Sequence, residues 1–180
     1  INSGKTKYTP SGGIPELKEA VVKKFKRDNN LEYKTSEVII NCGGKHSFYN
    51  LIQVIIEEND EVIIPSPYWV SYPDIVLLAG GKPVFIETEM SNGFKITPEQ
   101  LEEKITAKTK AIVLNSPSNP TGAAYTKAEL EALATVLEDK DLIIISDDIY
   151  ETIVYDGFKF FNIANISDKI KQKTIVLNGV

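Results

Sequence analysis

The sequence predicts a three-layer α/β/α fold built on a mainly parallel sheet. Short apolar runs rich in β-branched residues alternate with longer amphipathic stretches, which is the pattern of parallel strands joined by covering helices. Of the 180 residues, 42% are hydrophobic and 25% are charged, the balance of a domain with a sizeable core. Because the sequence contains no internal repeat and no Gly-rich or Ser-rich linker, we expect a single domain.

The apolar runs predict six strands, with helices before and between them. The strands are expected at residues 37–41, 61–64, 83–87, 110–115, 142–147 and 174–178. The helices are expected at residues 14–29, from Gly43 or Gly44 to about Glu58, at residues 70–79, and after Thr97 and Thr126. Each of these two threonines is followed three residues later by Gln or Glu, which forms a capping box that satisfies backbone N–H groups at a helix start.

The first helix has both a start signal and an apolar face. Pro15 occupies the first turn, where its missing N–H costs nothing. Leu17, Val21 and Phe25 then fall on one side of the helix and predict a buried stripe. Further along the chain, the glycine pair at 80–81 is a stop signal for the third helix.

Composition excludes several classes of site. With 20 Lys and Arg against 25 Asp and Glu, the net charge is −5, so bulk charge attracts neither nucleic acid nor an anionic membrane. One Cys and one His cannot build a multi-cysteine metal centre or a His dyad, and we expect no metal site. We expect no secretory signal in the first residues, and no apolar run approaches the roughly 20 residues of a membrane-spanning helix. The cytoplasm is the expected compartment.

Ligands of open parallel sheets bind beyond the carboxyl ends of the strands, so the residues that follow each expected strand are candidates. Gly43, Gly44 and Lys45 follow the first strand, where small residues let backbone N–H groups approach a phosphate at a helix start. The alternative is a glycine turn with a solvated Lys45. Trp69 follows the second strand after two stiffening prolines, and its ring either stacks on a flat ligand or belongs to the core.

Two later strands also end in polar residues. The loop at 115–122 follows the fourth strand, and its prolines bracket Asn119 and favour an extended backbone there, unless the loop is a generic turn. Asp147 ends the fifth strand, where a buried carboxylate needs a partner. If the chain turns helical after Asp147, Tyr150 lies on the same side and reaches the same ligand. The alternative is that Asp147 caps the next helix.

These groups, in this order, resemble the pyridoxal-phosphate-dependent aminotransferases of fold type I, and most of all the bacterial aspartate aminotransferases of class I. The resemblance covers essentially the whole chain. It rests on the motifs at residues 5–8 (KTKY), 13–17 (GIPEL), 67–73 (PYWVSYP), 115–122 (NSPSNPTG), 146–150 (SDDIY) and 174–179 (TIVLNG). The fold that it implies is the large domain of these transferases, which agrees with the predicted α/β/α layers.

The resemblance implies pyridoxal 5′-phosphate as the cofactor. Asp147 would pair with the protonated ring nitrogen and keep the ring cationic. Asn119 and Tyr150 would hydrogen-bond the phenolic oxygen, and Trp69 would lie against the ring face. Asp148 stands where similar enzymes usually have Glu, and this shorter acid leaves the implied ligands unchanged.

The resemblance also implies groups for the phosphate and the substrate. Gly44 and Lys45 would offer backbone N–H groups to the phosphate, and Tyr8 would reach the phosphate bound by the other subunit of a homodimer. The amino-acid or 2-oxo-acid substrate would contact Lys45, Trp69 and Asn119. The Lys45 ammonium would meet the distal carboxylate of an acidic substrate as a point charge.

Three groups that the family needs are expected outside this chain. The lysine that forms a Schiff base with the cofactor is expected just after Val180, so no catalytic residue is expected within the chain. Arg27 is the only arginine, whereas the family uses one for the phosphate and another for the substrate α-carboxylate. Residues 1–180 are therefore expected to be a fragment, the N-terminal part of the large domain, without the small domain and inactive by itself.

The intact protein is expected to exchange an amino group between an amino acid, with aspartate the first choice, and a 2-oxo acid. An aminotransferase for aromatic or prephenate-like substrates, or a related lyase, would carry the same residues. A nucleotide-binding oxidoreductase shares the βαβ pattern, but the Gly-x-Gly-x-x-Gly fingerprint is absent from the sequence. The remaining alternative is a non-catalytic binding module of the same fold.

Overall fold

The computed structural model describes residues 1–179. They form two compact units, the first at Ile1–Gly43 and the second beginning at Gly44. The helices are Pro15–Asn29 (α1), Gly44–Ile55 (α2), Ser71–Leu78 (α3), Pro98–Lys104 (α4), Lys127–Leu137 (α5) and Asp168–Gln172 (α6). The strands are Glu61–Ser66 (β1), Lys82–Glu87 (β2), Thr109–Asn115 (β3), Ile143–Asp147 (β4) and Thr174–Leu177 (β5). Short 3₁₀ turns lie at Thr35–Glu37, Met90–Asn92 and Ile163–Asn165.

The first unit contains the predicted helix α1, which begins at Pro15, one residue after the expected start. Asn30 follows its last turn in a left-handed conformation (φ 53°), and the Asn30 N–H donates to the Phe25 carbonyl oxygen. Of the predicted apolar stripe, Phe25 is buried, whereas Leu17 remains 40% exposed. The helix is therefore present, but its apolar face is only partly covered.

The predicted strand at 37–41 is wrong. A 3₁₀ turn precedes Val38, and the residues after it are extended without pairing to any strand within residues 1–179. The Ile40 N–H instead donates to the Gly12 carbonyl oxygen at 3.0 Å. Gly13 faces Ile40 with φ +100°, and a Cβ there would come within 2.4 Å of the Ile40 side chain. A β-branched segment can thus form a backbone hydrogen bond to a loop instead of to a strand, because β propensity does not specify a partner.

The second unit is built on a five-stranded parallel sheet in the order β2-β1-β3-β4-β5. The five other predicted strands are all present, with small differences at their ends. In the pairing of β3 with β4, Asn115 lies beside Asp147. Because every strand runs in the same direction, their carboxyl ends share one edge of the sheet.

The two faces of the sheet supply side chains to two separate apolar cores. Ile112 and Ile144 face the core formed with α4, α5 and α6. Val113 and Ile145 face the core formed with α2 and α3. The second unit is therefore a three-layer α/β/α structure with helices on both faces of the sheet, and the predicted fold class is confirmed.

Both predicted capping boxes are present. The Thr126 Oγ1 accepts from the Glu129 N–H, and the Thr126 N–H donates to the Glu129 carboxylate at 2.7 Å. Thr97 and Gln100 make the same pair of bonds before α4. The helix α6, capped by Ser167, was not predicted. It is too short to show the repeating apolar pattern by which longer helices are recognised. In the described part of the chain, no helix has the length and apolar character that crossing a bilayer requires.

Candidate functional site

The strand order reverses between β1 and β3, which are neighbours although the chain visits β2 between them. The connection after β1 contains α3 on one face of the sheet, and the connection after β3 contains α5 on the other face. Two connections that part in this way leave a crevice at the carboxyl edge, where ligands of open α/β sheets bind. Trp69, Asn119 and Asp147 all follow or end strands at this edge.

Asp147 ends β4, and only 8% of the residue is exposed. The Tyr72 hydroxyl donates to Asp147 Oδ2 at 2.5 Å, and the Ile149 N–H donates to Oδ1 at 3.3 Å. A hydrogen-bonded turn at residues 149–152 follows, rather than a helix. The alternative in which Asp147 caps a following helix is therefore wrong. The carboxylate instead lies at the carboxyl end of β4, where it accepts the Tyr72 hydroxyl.

The electrostatic state of Asp147 follows from this burial. Burial raises the pKa of Asp147, while the hydrogen bonds from Tyr72 and Ile149 act to lower it. Among residues 44–179, no lysine or arginine forms an ion pair with this carboxylate. A buried anion without a cation is costly, so a positively charged ligand placed here would stabilise the ionised form.

Tyr72, which no sequence pattern singled out, connects two of the candidate residues. It lies in α3 with 2% of its surface exposed, and its ring meets the Trp69 ring edge-on, with centroids 5.2 Å apart. Its hydroxyl binds Asp147 from the same position. The sequence did hold a signal that Tyr72 lies near Trp69. The two residues are three positions apart at a helix start, and residues so spaced lie on one side of a helix.

Lys45 and Trp69 form a second pair at the site. Lys45 lies in the first turn of α2, and its Nζ is 5.4 Å from the centroid of the Trp69 ring. Trp69 is half-buried: it packs against the core formed with α2 and α3 and leaves part of its surface exposed. Lys45 forms no ion pair with the described residues of the second unit, and its positive charge is therefore available to an acidic ligand.

One side-chain amide, that of Asn115, connects Asp147 with Asn119. The Asn115 Nδ2 donates to the Asp147 carbonyl oxygen at 2.9 Å, and the Asn115 Oδ1 accepts from the Asn119 N–H at 2.8 Å. The loop closes where the Ser118 N–H donates to the Ala123 carbonyl oxygen at 2.8 Å. Within residues 44–179, the Asn119 side chain makes no hydrogen bond, which leaves its amide available to a ligand.

Tyr150 lies half-buried in the turn after β4, and its hydroxyl makes no hydrogen bond to the described residues. It is close to Tyr72, whose pKa is raised by burial first, then by the adjacent Asp147 carboxylate and by the Tyr150 phenol. The structure therefore brings Asp147, Tyr72 and Tyr150 together, although through a turn and not through the helical spacing that was expected.

Asp148 faces the interior and not the crevice. It is 1% exposed, and its carboxylate accepts from Ser146 Oγ at 2.7 Å and from Asn162 Nδ2. Burial raises the pKa of Asp148 to about 8, with a smaller contribution from the neighbouring Glu151 and Asp147 carboxylates. The acid next to Asp147 in sequence thus anchors the end of β4 to the segment around Asn162.

The remaining candidates, Gly44 and Tyr8, belong to different units. Gly44 is the first residue of α2 and is exposed, and no atom lies within 4 Å of the position where a Cβ would stand. Backbone N–H groups at such a helix start are the donors that a phosphate accepts. Tyr8 lies in the first unit, where its side chain is fully exposed, and its implied contact with a phosphate stays a prediction.

A small cavity of about 20 Å³ lies between the ends of β1 and β3. Its lining includes Tyr68, Tyr72, Asn119 and Tyr125. This volume holds a single water molecule and is too small for an aromatic ring. The candidate position for a flat ligand is therefore the part of the crevice beside Asp147, next to this cavity.

Comparisons with known proteins identify relatives along the whole chain. A model of the aminotransferase class I and II family matches residues 1–180. The aspartate aminotransferase of Bacillus subtilis (strain 168) is 58% identical over 180 residues, which is 100% of this chain and 46% of that protein. The aspartate/prephenate aminotransferase of Nitrosomonas europaea is 53% identical over 181 residues, again 100% of this chain and 46% of that protein.

Solved structures show the same similarity. The aspartate aminotransferase from Rhizobium meliloti superposes with a TM-score of 0.97 at 46% sequence identity. The superposition covers 99% of this chain and 45% of that one. The chain therefore spans less than half the length of each of these relatives.

Proposed function

We propose that the whole protein is a pyridoxal-phosphate-dependent aminotransferase that acts on aspartate, because this chain belongs to the aminotransferase class I and II family. The observation that carries the proposal is the Asp147 carboxylate, which is buried and has no cationic partner among residues 44–179. It lies at a crevice with an indole ring and a free side-chain amide nearby. A cationic aromatic ring is the ligand that this combination favours.

The described residues fit pyridoxal phosphate in the chemistry of their side chains. Asp147 is the anion for a protonated ring nitrogen, and Trp69 is the flat apolar surface. Asn119 and Tyr150 carry polar groups without another partner in the described part of the second unit, as the phenolic oxygen requires. Gly44 offers an unobstructed helix start to the phosphate.

When bound, pyridoxal phosphate supplies an electron sink for the charge that develops on the α-carbon of the substrate. Asp147 would hold a proton on the ring nitrogen, because its carboxylate stabilises a positive charge there. Trp69 would pack against the ring and exclude water from it. Asn119 and Tyr150 would orient the ring through its phenolic oxygen. The lysine expected just after Val180, which would move the α-proton, lies outside the described residues.

Aspartate is the proposed substrate because the Lys45 ammonium lies beside Trp69, at the candidate seat of the ring. An ammonium in that position favours a second carboxylate on the substrate. The identity to an aspartate/prephenate aminotransferase supports a second candidate, an enzyme that also accepts a prephenate-like or aromatic oxo acid. The ratio of kcat/KM for oxaloacetate and for prephenate distinguishes the two.

The remaining parts of the proposal concern the whole protein. Residues 1–180 are proposed as the N-terminal part of the cofactor-binding large domain, with the Schiff-base lysine and the small domain in the rest of the protein. The coverage of 46% of two relatives supports this. We further propose a cytoplasmic homodimer in which Tyr8 reaches the phosphate held by the other subunit. The fully exposed Tyr8 side chain is consistent with such a contact.

The experiment that tests the function is the substitution Asp147→Asn in the whole protein. It keeps the shape of the side chain and removes its charge. We expect kcat for aspartate to fall by about a hundredfold or more, the usual size for a lost charge-stabilising group. The exposed Asp141→Asn is the matched control and should leave kcat unchanged. Full activity of the Asp147→Asn protein would remove Asp147 from the proposed role.

A further inference from the structure

Tyr72 is held rigidly at the centre of the candidate site. Its ring lies between Phe48, with centroids 4.9 Å apart, and Trp69, with centroids 5.2 Å apart. Its hydroxyl donates to Asp147 Oδ2 at 2.5 Å. One buried side chain therefore touches both the group proposed for the ring nitrogen and the group proposed for the ring face.

The hydroxyl of Tyr72 also makes Asp147 less basic, against the larger effect of burial, which raises the pKa of this carboxyl. A hydrogen bond donated to a carboxylate stabilises its ionised form, and this bond is the stronger of the two that Asp147 receives from protein groups. The other, from the Ile149 N–H to Oδ1, is long at 3.3 Å. Oδ1 is therefore the less engaged oxygen and the better acceptor for a ligand proton.

We propose that Tyr72 is a positioning residue that keeps Asp147 ionised and turned toward the ring nitrogen of the cofactor, with Trp69 fixed beside it. This inference rests on the proposed function. With the hydroxyl present, the proton between Asp147 and the ring stays on the nitrogen. Without it, the carboxylate becomes the stronger base and draws the proton away, so the ring accepts less charge from the substrate.

The decisive variant is Tyr72→Phe in the whole protein loaded with pyridoxal phosphate that carries ¹⁵N in its ring. Phe keeps the packing against Phe48 and Trp69 and removes only the hydroxyl. The ¹⁵N chemical shift of the ring reports directly which partner holds the proton. We expect it to move toward the value of an unprotonated pyridine, and kcat to fall by about ten- to a hundredfold, the range for a lost hydrogen bond to a charged group.

Tyr125→Phe is the matched control. Tyr125 is also buried and lines the small cavity together with Tyr72, but it belongs to the core on the opposite face of the sheet, and its hydroxyl accepts the Ile96 N–H at 3.0 Å instead of binding Asp147. The Tyr125→Phe variant should be less stable because it lacks this hydroxyl, but the ¹⁵N chemical shift of the cofactor ring should not change. Placing 3,5-difluorotyrosine at position 72 strengthens the donor at almost constant shape, and should move the shift in the opposite direction to Tyr72→Phe.

Three results would overturn the inference alone. The first is an unchanged ¹⁵N shift in Tyr72→Phe, and the second is an equal shift in the Tyr125→Phe control. The third is a difluorotyrosine shift in the same direction as that of Tyr72→Phe, which would reveal a packing effect. A wild-type ring that is already unprotonated would contradict the role of Asp147, and thus the proposed function together with this inference.

Discussion

Asn115 and Asp147 lie side by side in the pairing of β3 with β4, and the Asn115 side chain donates to the Asp147 carbonyl oxygen at 2.9 Å. The same side chain accepts the Asn119 N–H. A single amide therefore sets the spacing between the acid proposed for one end of the cofactor ring and the amide proposed for its phenolic oxygen.

Replacing Asn115 by Ala should loosen this spacing. The change removes two hydrogen bonds, each with a net contribution of about 0.5–1.5 kcal/mol, so the free energy of unfolding should fall by about 1–3 kcal/mol. The dissociation constant for pyridoxal phosphate should rise by about tenfold, because Asn119 is no longer held in place. Denaturant unfolding and cofactor titration of the whole protein measure the two effects.

The control for this variant is Asn92→Ala. The Asn92 side chain also donates to a backbone oxygen, that of Lys95, at 2.7 Å, but it is exposed and far along the chain from the candidate residues. It should leave the affinity for the cofactor unchanged. If Asn115→Ala behaves like Asn92→Ala in the titration, the amide is a loop support only.

Lys45→Met should raise KM for aspartate by about tenfold, because the charge-assisted contact between the Lys45 ammonium and the distal carboxylate is lost. The effect on kcat should be smaller, and KM for an uncharged amino acid should change little. Lys127→Met is the matched control, since the Lys127 ammonium also lies 5.4 Å from an aromatic centroid, that of Phe161. Equal loss for charged and uncharged substrates would contradict the proposed contact with a distal carboxylate.

Asp148 should make stability depend on pH. Its pKa is about 8 in the folded protein against an ordinary value of 3.8, so the folded state binds its proton more tightly than the unfolded state does. The contribution of this group to stability is complete below pH 3.8 and is lost as the pH rises toward about 8. Between these values the free energy of unfolding should fall by up to about 1.4 kcal/mol per pH unit.

The test is the slope of unfolding free energy against pH in Asp148→Asn, compared with the wild type and with Asp139→Asn. Asp139 is exposed, with a side-chain exposure of 87%. The Asp148→Asn slope should be shallower between pH 5 and 8, whatever its absolute stability. Identical slopes in all three proteins would show that Asp148 stays ionised in the fold.

The 180-residue chain by itself should bind pyridoxal phosphate weakly and without a covalent bond. The described residues offer hydrogen bonds and an indole face, but the lysine and arginines of the family are expected elsewhere in the protein. We expect the absorbance of the mixture to return to that of the free components after dialysis. Asp147→Asn in the same chain should weaken the binding further. An absorption band that survives dialysis in both would contradict this prediction.

Local signals predicted the groups that end strands. A buried apolar run followed at once by two acids placed Asp147 at the end of β4, and the structure has it there. Capping boxes placed the starts of α4 and α5 in the same way. These features depend only on residues that are close in sequence. A capping box, for example, is recognisable because its two side chains satisfy the free backbone N–H groups at a helix start.

Features that depend on distant partners could not be predicted. The contact of Tyr72 with Asp147 joins residues 75 positions apart, and it requires the packing of α3 on the sheet as well as the turn after β4. The segment at 37–41 failed for a related reason, because a β-branched run does not show which partner it will find. The roles assigned to the candidate site residues stay predictions until the substitutions are made.

The reversal of strand order between β1 and β3 has a consequence for how such a protein can change. The backbone itself opens the crevice, whereas the acid at its base is anchored by a tyrosine from one layer and an amide from a neighbouring strand. Selection for a new substrate can therefore rework the rim residues, such as Lys45, while the floor keeps its charge and geometry.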